Sequence, residues 1–231
     1  MKTMNSKRKN QNRKITEAVV GIAMFAALAY GVTFVFRIPV SFLTFDLTFD
    51  AKDAVITVAS FVYGPLAGVV MSLLTALIEL FTVSGTGFYG FVMNFVSSAV
   101  FAATASGIYK LWRNPRGAVL GPVLAVLTMT GTMLLMNLWI TPIYMGAPRD
   151  QVVAMIPTLL FPFNLAKGLL NAALAMLLYK PLSVALSRAG LVGRGEEKKS
   201  FSWNRTSILI AVVSLLMIAA AVILFVFLKQ K

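Results

Sequence analysis

Long apolar runs alternate with short polar or charged breaks along the whole chain. The runs cover residues 15–36, 54–81, 88–111, 118–140, 152–179 and 207–228. They are apolar around the full helical circumference, the pattern of a helix bathed in lipid rather than one resting on a soluble core. Most exceed the roughly 18 residues that a membrane-crossing helix needs. The run at 54–81 is apolar except for Glu79 and contains Gly64-Pro65. As one helix it would be about 42 Å long, against a hydrocarbon core of roughly 30 Å. Gly-Pro favours a break, so two pieces are expected, 54–63 and 65–82, the first short for a span. Pro157 and Pro162 interrupt the run at 152–179. A proline is tolerated in a first turn, so the well-formed part of that helix is expected to start near Pro162 and to exit at Lys180.

Between the first two runs, residues 37–53 form a loop rich in Phe, Thr and Asp. Its alternation of apolar and polar residues, Phe42 to Asp50, suits a short extended segment. Ser84 to Gly87 and Asn114 to Gly117 read as turns, and Gly146 to Asp150 as a loop.

Composition agrees with the pattern. Of 231 residues, 58% are hydrophobic and only 13% charged, where a soluble domain carries about 25% charged. The fold class is an all-α integral membrane protein. The net charge of +13 sits in short flanks of the apolar runs, not in a nucleic-acid-binding patch. Lys2 to Lys14, Lys110 to Arg116 and Lys180 to Arg205 hold most of it. Such clusters mark cytoplasmic loops and meet anionic membrane lipid. With the second run split in two, all three clusters fall on one side, and the N-terminus is placed in the cytoplasm. The expected organisation is a basic tail at 1–14, irregular and cytoplasmic; six helices over 15–186; a cytoplasmic linker at 187–206; and a further transmembrane helix at 207–228. That last helix carries no buried charge. It is expected to serve as an appended anchor and to leave the site untouched.

Chemistry is narrowed by what is missing. The chain has no cysteine and no histidine, which removes thiolate and imidazole metal ligands and histidine bases. No phosphate-binding loop and no paired intramembrane carboxylates occur. No metal, no cofactor and no catalytic residue is implied. What remains is a set of polar residues inside apolar runs. Asn164, Lys167 and Asn171 stand at i, i+3 and i+7, one face of a helix. A lysine within a span costs on the order of 2.5–3.5 kcal/mol and normally faces a cavity or a partner. Glu79, Asn94 and Asn137 lie at a similar depth, near the end of the bundle that carries the aspartate-rich loop. Asparagine donates and accepts hydrogen bonds, so this set suits a planar, neutral, hydrogen-bonding ligand. The competing structural reading has each Asn packing on a neighbouring helix and Glu79 paired with Lys167. On the first helix Ala23, Ala27 and Gly31 recur every four residues, a ladder that allows close approach of another helix.

Four segments carry a resemblance: Leu47 to Asp53, Val62-Tyr63-Gly64-Pro65-Leu66-Ala67-Gly68, Met93-Asn94-Phe95, and Phe161 to Gly168. Together they resemble the substrate-binding S components of energy-coupling factor (ECF) transporters, of the riboflavin type. The likeness runs from about residue 15 to 186. It implies a six-helix bundle that binds riboflavin from outside the bacterial cell membrane, with flavin mononucleotide (FMN) a further candidate ligand. It implies association with a transmembrane coupling subunit and two cytoplasmic ATPases. It places substrate binding on Asn137, Asn164 and Lys167, with Asn94 and the loop residues Leu47, Thr48, Phe49 and Asp50. It places coupling-subunit docking on Ala23 and Ala27. The helix at 207–228 has no counterpart in that pattern. The alternatives are an S component for another vitamin (folate, thiamine or pantothenate), an ion-coupled transporter using Glu79, or a membrane-embedded enzyme.

Overall fold

The structure, a computed structural model, describes residues 2–42, 45–188 and 205–229. The linker expected at 187–206 falls largely outside them. The described residues form eight α-helices, one hairpin and one π-helical turn. Helix α1 spans Lys2–Val35, strands β1 and β2 span Ile38–Phe42 and Phe45–Phe49, and α2 spans Lys52–Tyr63. Then come α3 (Pro65–Thr82), α4 (Gly87–Leu111), α5 (Pro115–Met145), α6 (Arg149–Met155), α7 (Phe161–Arg188) and α8 (Arg205–Lys229). Among the described residues, six helical stretches are long and apolar enough to cross a membrane. The twelve-residue α2 is not one of them; at 1.5 Å per residue it covers about 18 Å.

The break at Gly64 occurs where expected. Gly64 has φ 95°, a left-handed conformation that favours glycine, and Pro65 opens α3 at a position where its missing N–H costs nothing. Short α2 is thereby folded back inside the bundle. Ala54, Ile56, Thr57, Ala59 and Ser60 are fully buried, with α1, α3, α4 and α7 packed around them. The expected extended segment is an antiparallel hairpin that pairs Ile38 with Phe49 and Val40 with Leu47. Asn114 caps α5 by accepting a hydrogen bond from the Gly117 amide at 3.1 Å, with Pro115 at the first helical position.

Two expectations are corrected. The basic N-terminal segment continues α1 rather than remaining irregular. It has no Gly or Pro before Gly21, and Arg13 and Glu17 form an i,i+4 ion pair of 2.8 Å, the spacing that supports a helix. The helix of the run at 118–140 is longer than that run, continuing through Pro142 to Met145. The run at 152–179 changes at its prolines as expected, with α7 beginning at Phe161, beside Pro162, although the chain ahead of it stays helical instead of breaking. A π-helical turn, Ile156–Leu160, joins α6 to α7. Its wider i→i+5 ladder takes up the irregularity that proline introduces into the ordinary i→i+4 ladder.

The last helix also differs from a detached anchor. It packs along α7, burying Ser214, Ala221 and Leu228. Lys180 donates to the Ser207 hydroxyl at 2.7 Å. At the hairpin end, the Phe225 ring lies 5.4 Å from that of Phe49, so α8 does reach a residue assigned above to the site.

Candidate ligand-binding site

Four sequence elements converge at the hairpin end. The strand β2 and the residue after it deliver Leu47, Thr48 and Asp50, the N-terminus of α2 delivers Lys52, the far end of α3 delivers Glu79, and the first turns of α7 deliver Asn164 and Lys167. Their side chains, with those of α4 and α5, enclose a cavity of about 1000 Å³, counting the space at its open mouth.

Of the residues singled out in the sequence, Asn94, Asn137, Asn164, Lys167, Leu47, Thr48 and Asp50 line this cavity. Phe49 does not. Its side chain turns away from the cavity between its neighbours Thr48 and Asp50 and joins an apolar cluster with Leu159 and Phe163. It is buried against Phe163, ring centroids 4.8 Å apart. Ala23 and Ala27 lie on the outer, exposed face of α1, and no side chain stands within 4 Å of a Cβ built on Gly31. Asn171, the third member of the α7 stack, is fully buried and has a structural task. Its Oδ1 accepts the Ala54 amide at 3.0 Å, and its Nδ2 donates to the Asp50 carbonyl at 2.9 Å. The residue preceding α2, Ala51, has no side chain able to cap. Asn171 therefore supplies from α7 the acceptor that a Ser or Asp would supply locally.

The charges pair differently from the structural reading of the sequence. Glu79 does not meet Lys167. Lys52 Nζ stands 2.8 Å and 2.6 Å from the two Glu79 oxygens and 3.9 Å from Asp50 Oδ2. Lys167 donates to Asp50 Oδ2 at 2.9 Å, and Asn94 Nδ2 donates to Glu79 at 3.3 Å. All four charged groups are at most 5% exposed. Burial works against the charge on Asp50, but the Lys167 and Lys52 ammonium groups outweigh it and hold the carboxyl below the ordinary carboxylate range. Lys52 was missed as a site residue because its neighbours in sequence are loop aspartates. One signal was available: a cation in the first turn of a helix opposes the macrodipole and so needs an acidic partner from elsewhere. With both Glu79 oxygens held by Lys52, that acid is a poor candidate for carrying a coupling ion.

The polar amides are pre-set by their own helices. Asn137 donates to the Met133 carbonyl at 2.7 Å and accepts from Thr141 at 2.9 Å. Asn164 donates to the Leu160 carbonyl at 2.7 Å. That carbonyl lies at the end of the π-helical turn. Aromatic surface comes from Tyr89 and Tyr144, 5.9 Å apart, and from Phe163. Arg37, in the segment before β1, also reaches the cavity and donates to the Val83 carbonyl. Among the described residues no cluster of potential metal ligands occurs. The arrangement can hold a flat, mostly uncharged molecule by stacking and by hydrogen bonds from amides on several helices, with two ion-paired lysines, Lys52 and Lys167, in its wall.

Known proteins show the same architecture. Residues 17–179 match the family described as the ECF transporter substrate-specific component. The chain is 30% identical over 191 residues to the riboflavin transporter RibU of Staphylococcus aureus (strain TCH60), covering 80% of this chain and all of that one. It is 25% identical over 180 residues to the riboflavin transporter FmnP of Bacillus subtilis (strain 168), covering 72% of this chain and 91% of that one. A solved structure described as the S component of a bacterial ECF transporter superposes with a TM-score of 0.62 at 31% identity, covering 77% of this chain and 99% of that chain. An all-helical membrane bundle, a polar and aromatic cavity at one end, and a family match across most of the bundle agree: this chain belongs to the substrate-specific components of ECF transporters.

Proposed function

We propose that this chain is the riboflavin-binding subunit of an ATP-driven ECF importer. The observation that carries the reading is the cavity itself. Asn94, Asn137, Asn164 and Lys167, drawn from three helices, line one space together with aromatic rings, and the two curated relatives are both riboflavin transporters. The flavin ring would stack on the aromatic wall and exchange hydrogen bonds with the amides. Lys167 has three protons and donates one to Asp50, so it retains donors for a ring carbonyl. FMN is a second ligand of the same site, its phosphate directed to the mouth beside Arg37.

The chain would sit in the bacterial cell membrane with its N-terminus in the cytoplasm. The basic flanks at 2–14, 110–116 and 180–205 support this orientation, which turns the hairpin and the cavity outward. A coupling subunit and two ATPases would drive reorientation and release. The Ala23, Ala27 and Gly31 ladder on α1, its two alanines exposed, suits docking of that coupling subunit, since small side chains let two helices approach closely.

The test is an absorbance spectrum of the purified protein followed by riboflavin titration of its tryptophan fluorescence. Saturable quenching at submicromolar riboflavin, weakened at least about tenfold in Asn164→Ala, is the expected result; a lost hydrogen bond to a buried ligand group is worth about 1–3 kcal/mol. A colourless protein whose fluorescence is indifferent to riboflavin would overturn the assignment. Competition by FMN reports whether the phosphorylated flavin shares the site.

A further inference from the structure

The family match ends at residue 179, ahead of α8, yet α8 reaches the segment that borders the cavity. Phe49 is 4% exposed because rings cover it on two sides. Phe163 of α7 meets it edge-on, at 4.8 Å and 63°, and Phe225 of α8 meets it at 5.4 Å and 79°. Thr48 and Asp50, its immediate neighbours in the chain, line the cavity. Lys167 and Asn171 fasten Asp50 from the α7 side. Thr48 has no such side-chain fastening among the described hydrogen bonds. Its backbone is paired with β1, and the ring of the adjacent Phe49 anchors that end of the hairpin to the bundle.

We propose that Phe225 is a positioning residue for the ligand site. It clamps Phe49 against Phe163 and thereby holds Thr48 and Asp50 in place along the cavity wall. In the bilayer the alternative neighbour of Phe49 on that side is fluid lipid, which offers no fixed ring. The clamp has a firm base. Leu228 and Ala221 are buried in the same apolar cluster as Phe49, Phe163 and Leu159, and Ser214 is buried further along the helix. Helix α8 thus retains ligand without contacting it. As a statement about ligand retention this rests on the riboflavin reading; as a statement about the Leu47–Asp50 segment it does not.

The absence of cysteine from the chain provides a direct test. In a Thr48→Cys background the single thiol reports access to the cavity wall, read as its labelling rate with a membrane-impermeant maleimide in lipid nanodiscs, without ligand. Phe225→Ala is expected to speed labelling about three- to tenfold, the worth of one aromatic pair. Ile223→Ala, on the exposed side of α8, is expected to leave it unchanged. If Phe225 acts through Phe49, then Phe49→Leu and the double variant label at the same raised rate as Phe225→Ala, a non-additivity that general loosening of the bundle would not produce. Phe225→Leu, which keeps apolar volume and removes the ring, stands in if the alanine variant does not remain monodisperse, and is expected to label faster than the parent. Equal labelling of the Phe225 and Ile223 variants, or additive effects in the double variant, would overturn the proposal. Riboflavin is then added to the Thr48→Cys parent. Failure of the vitamin to slow labelling counts against the riboflavin assignment and leaves the positioning result standing.

Discussion

Removing Lys52 should destabilise this protein more than removing almost any apolar side chain. Lys52 is 1% exposed and holds both oxygens of Glu79, itself 4% exposed, while also facing Asp50. In Lys52→Met the Glu79 carboxylate keeps only Asn94, at 3.3 Å. A buried charge stripped of its partner costs about 3–5 kcal/mol. For a chain of this size each kcal/mol is worth roughly 2–4 °C in the unfolding midpoint, so a fall of about 6–20 °C is expected. Replacing both partners, Lys52→Met with Glu79→Leu, removes the orphaned charge along with the pair. A buried ion pair exchanged for apolar residues is often neutral, so the double variant should recover most of the loss, with Asp50 still held by Lys167. Thermal unfolding of ligand-free protein in detergent, followed by circular dichroism at the helical minimum, measures all three. If Lys52→Met melts with the parent, or if the double variant is as unstable as the sum of the singles, the pairing described for α2 and α3 is wrong.

Other consequences follow from neighbouring contacts. Asn171→Leu removes the cap that α7 gives to α2 and should cost about 1–2 kcal/mol; hydrogen exchange at the Ala54 amide should accelerate while that in the middle of α5 does not. Gly121→Ala places a Cβ 2.5 Å from the Ala105 carbonyl oxygen, so α4 and α5 must separate; a loss of about 1–3 kcal/mol is expected from overpacking. Gly131→Ala, in the same helix with nothing within 4 Å of its Cβ, should be neutral or slightly stabilising, and a fall of its melting temperature equal to that of Gly121→Ala would refute the close approach. Ligand affinity should be unchanged by sodium or by a proton gradient across liposomes, because Glu79 is already paired; a shift with either ion would return Glu79 to a coupling role.

Much of the site was legible because the bilayer makes polar residues conspicuous. A lysine or asparagine inside an apolar run has few places to go, and Asn94, Asn137, Asn164 and Lys167 do share one cavity. Phe49 stands outside the cavity because its ring packs between Phe163 and Phe225, a contact that a motif read as a string cannot show. Asn171 was set on the same face as Lys167 by spacing alone; one turn deeper, that face meets the start of α2 instead of the cavity. Lys52 stayed hidden because its role depends on Glu79, 27 positions away, and no local pattern links a helix N-terminus to the end of the next helix.

The chain by itself determined where the long apolar helices lie, the break at Gly64-Pro65, the extended segment before Lys52 and the gathering of polar residues near one end of the bundle. These depend on hydropathy, on charge flanking the runs and on backbone chemistry, all local quantities. Only the tertiary structure decided which charges pair, which carbonyls hold the amides, how two prolines fit into a π-helical turn, and that α8 reaches Phe49. Those outcomes are set by contacts between residues far apart in sequence, where burial forces each charge and each amide to find a partner across the bundle.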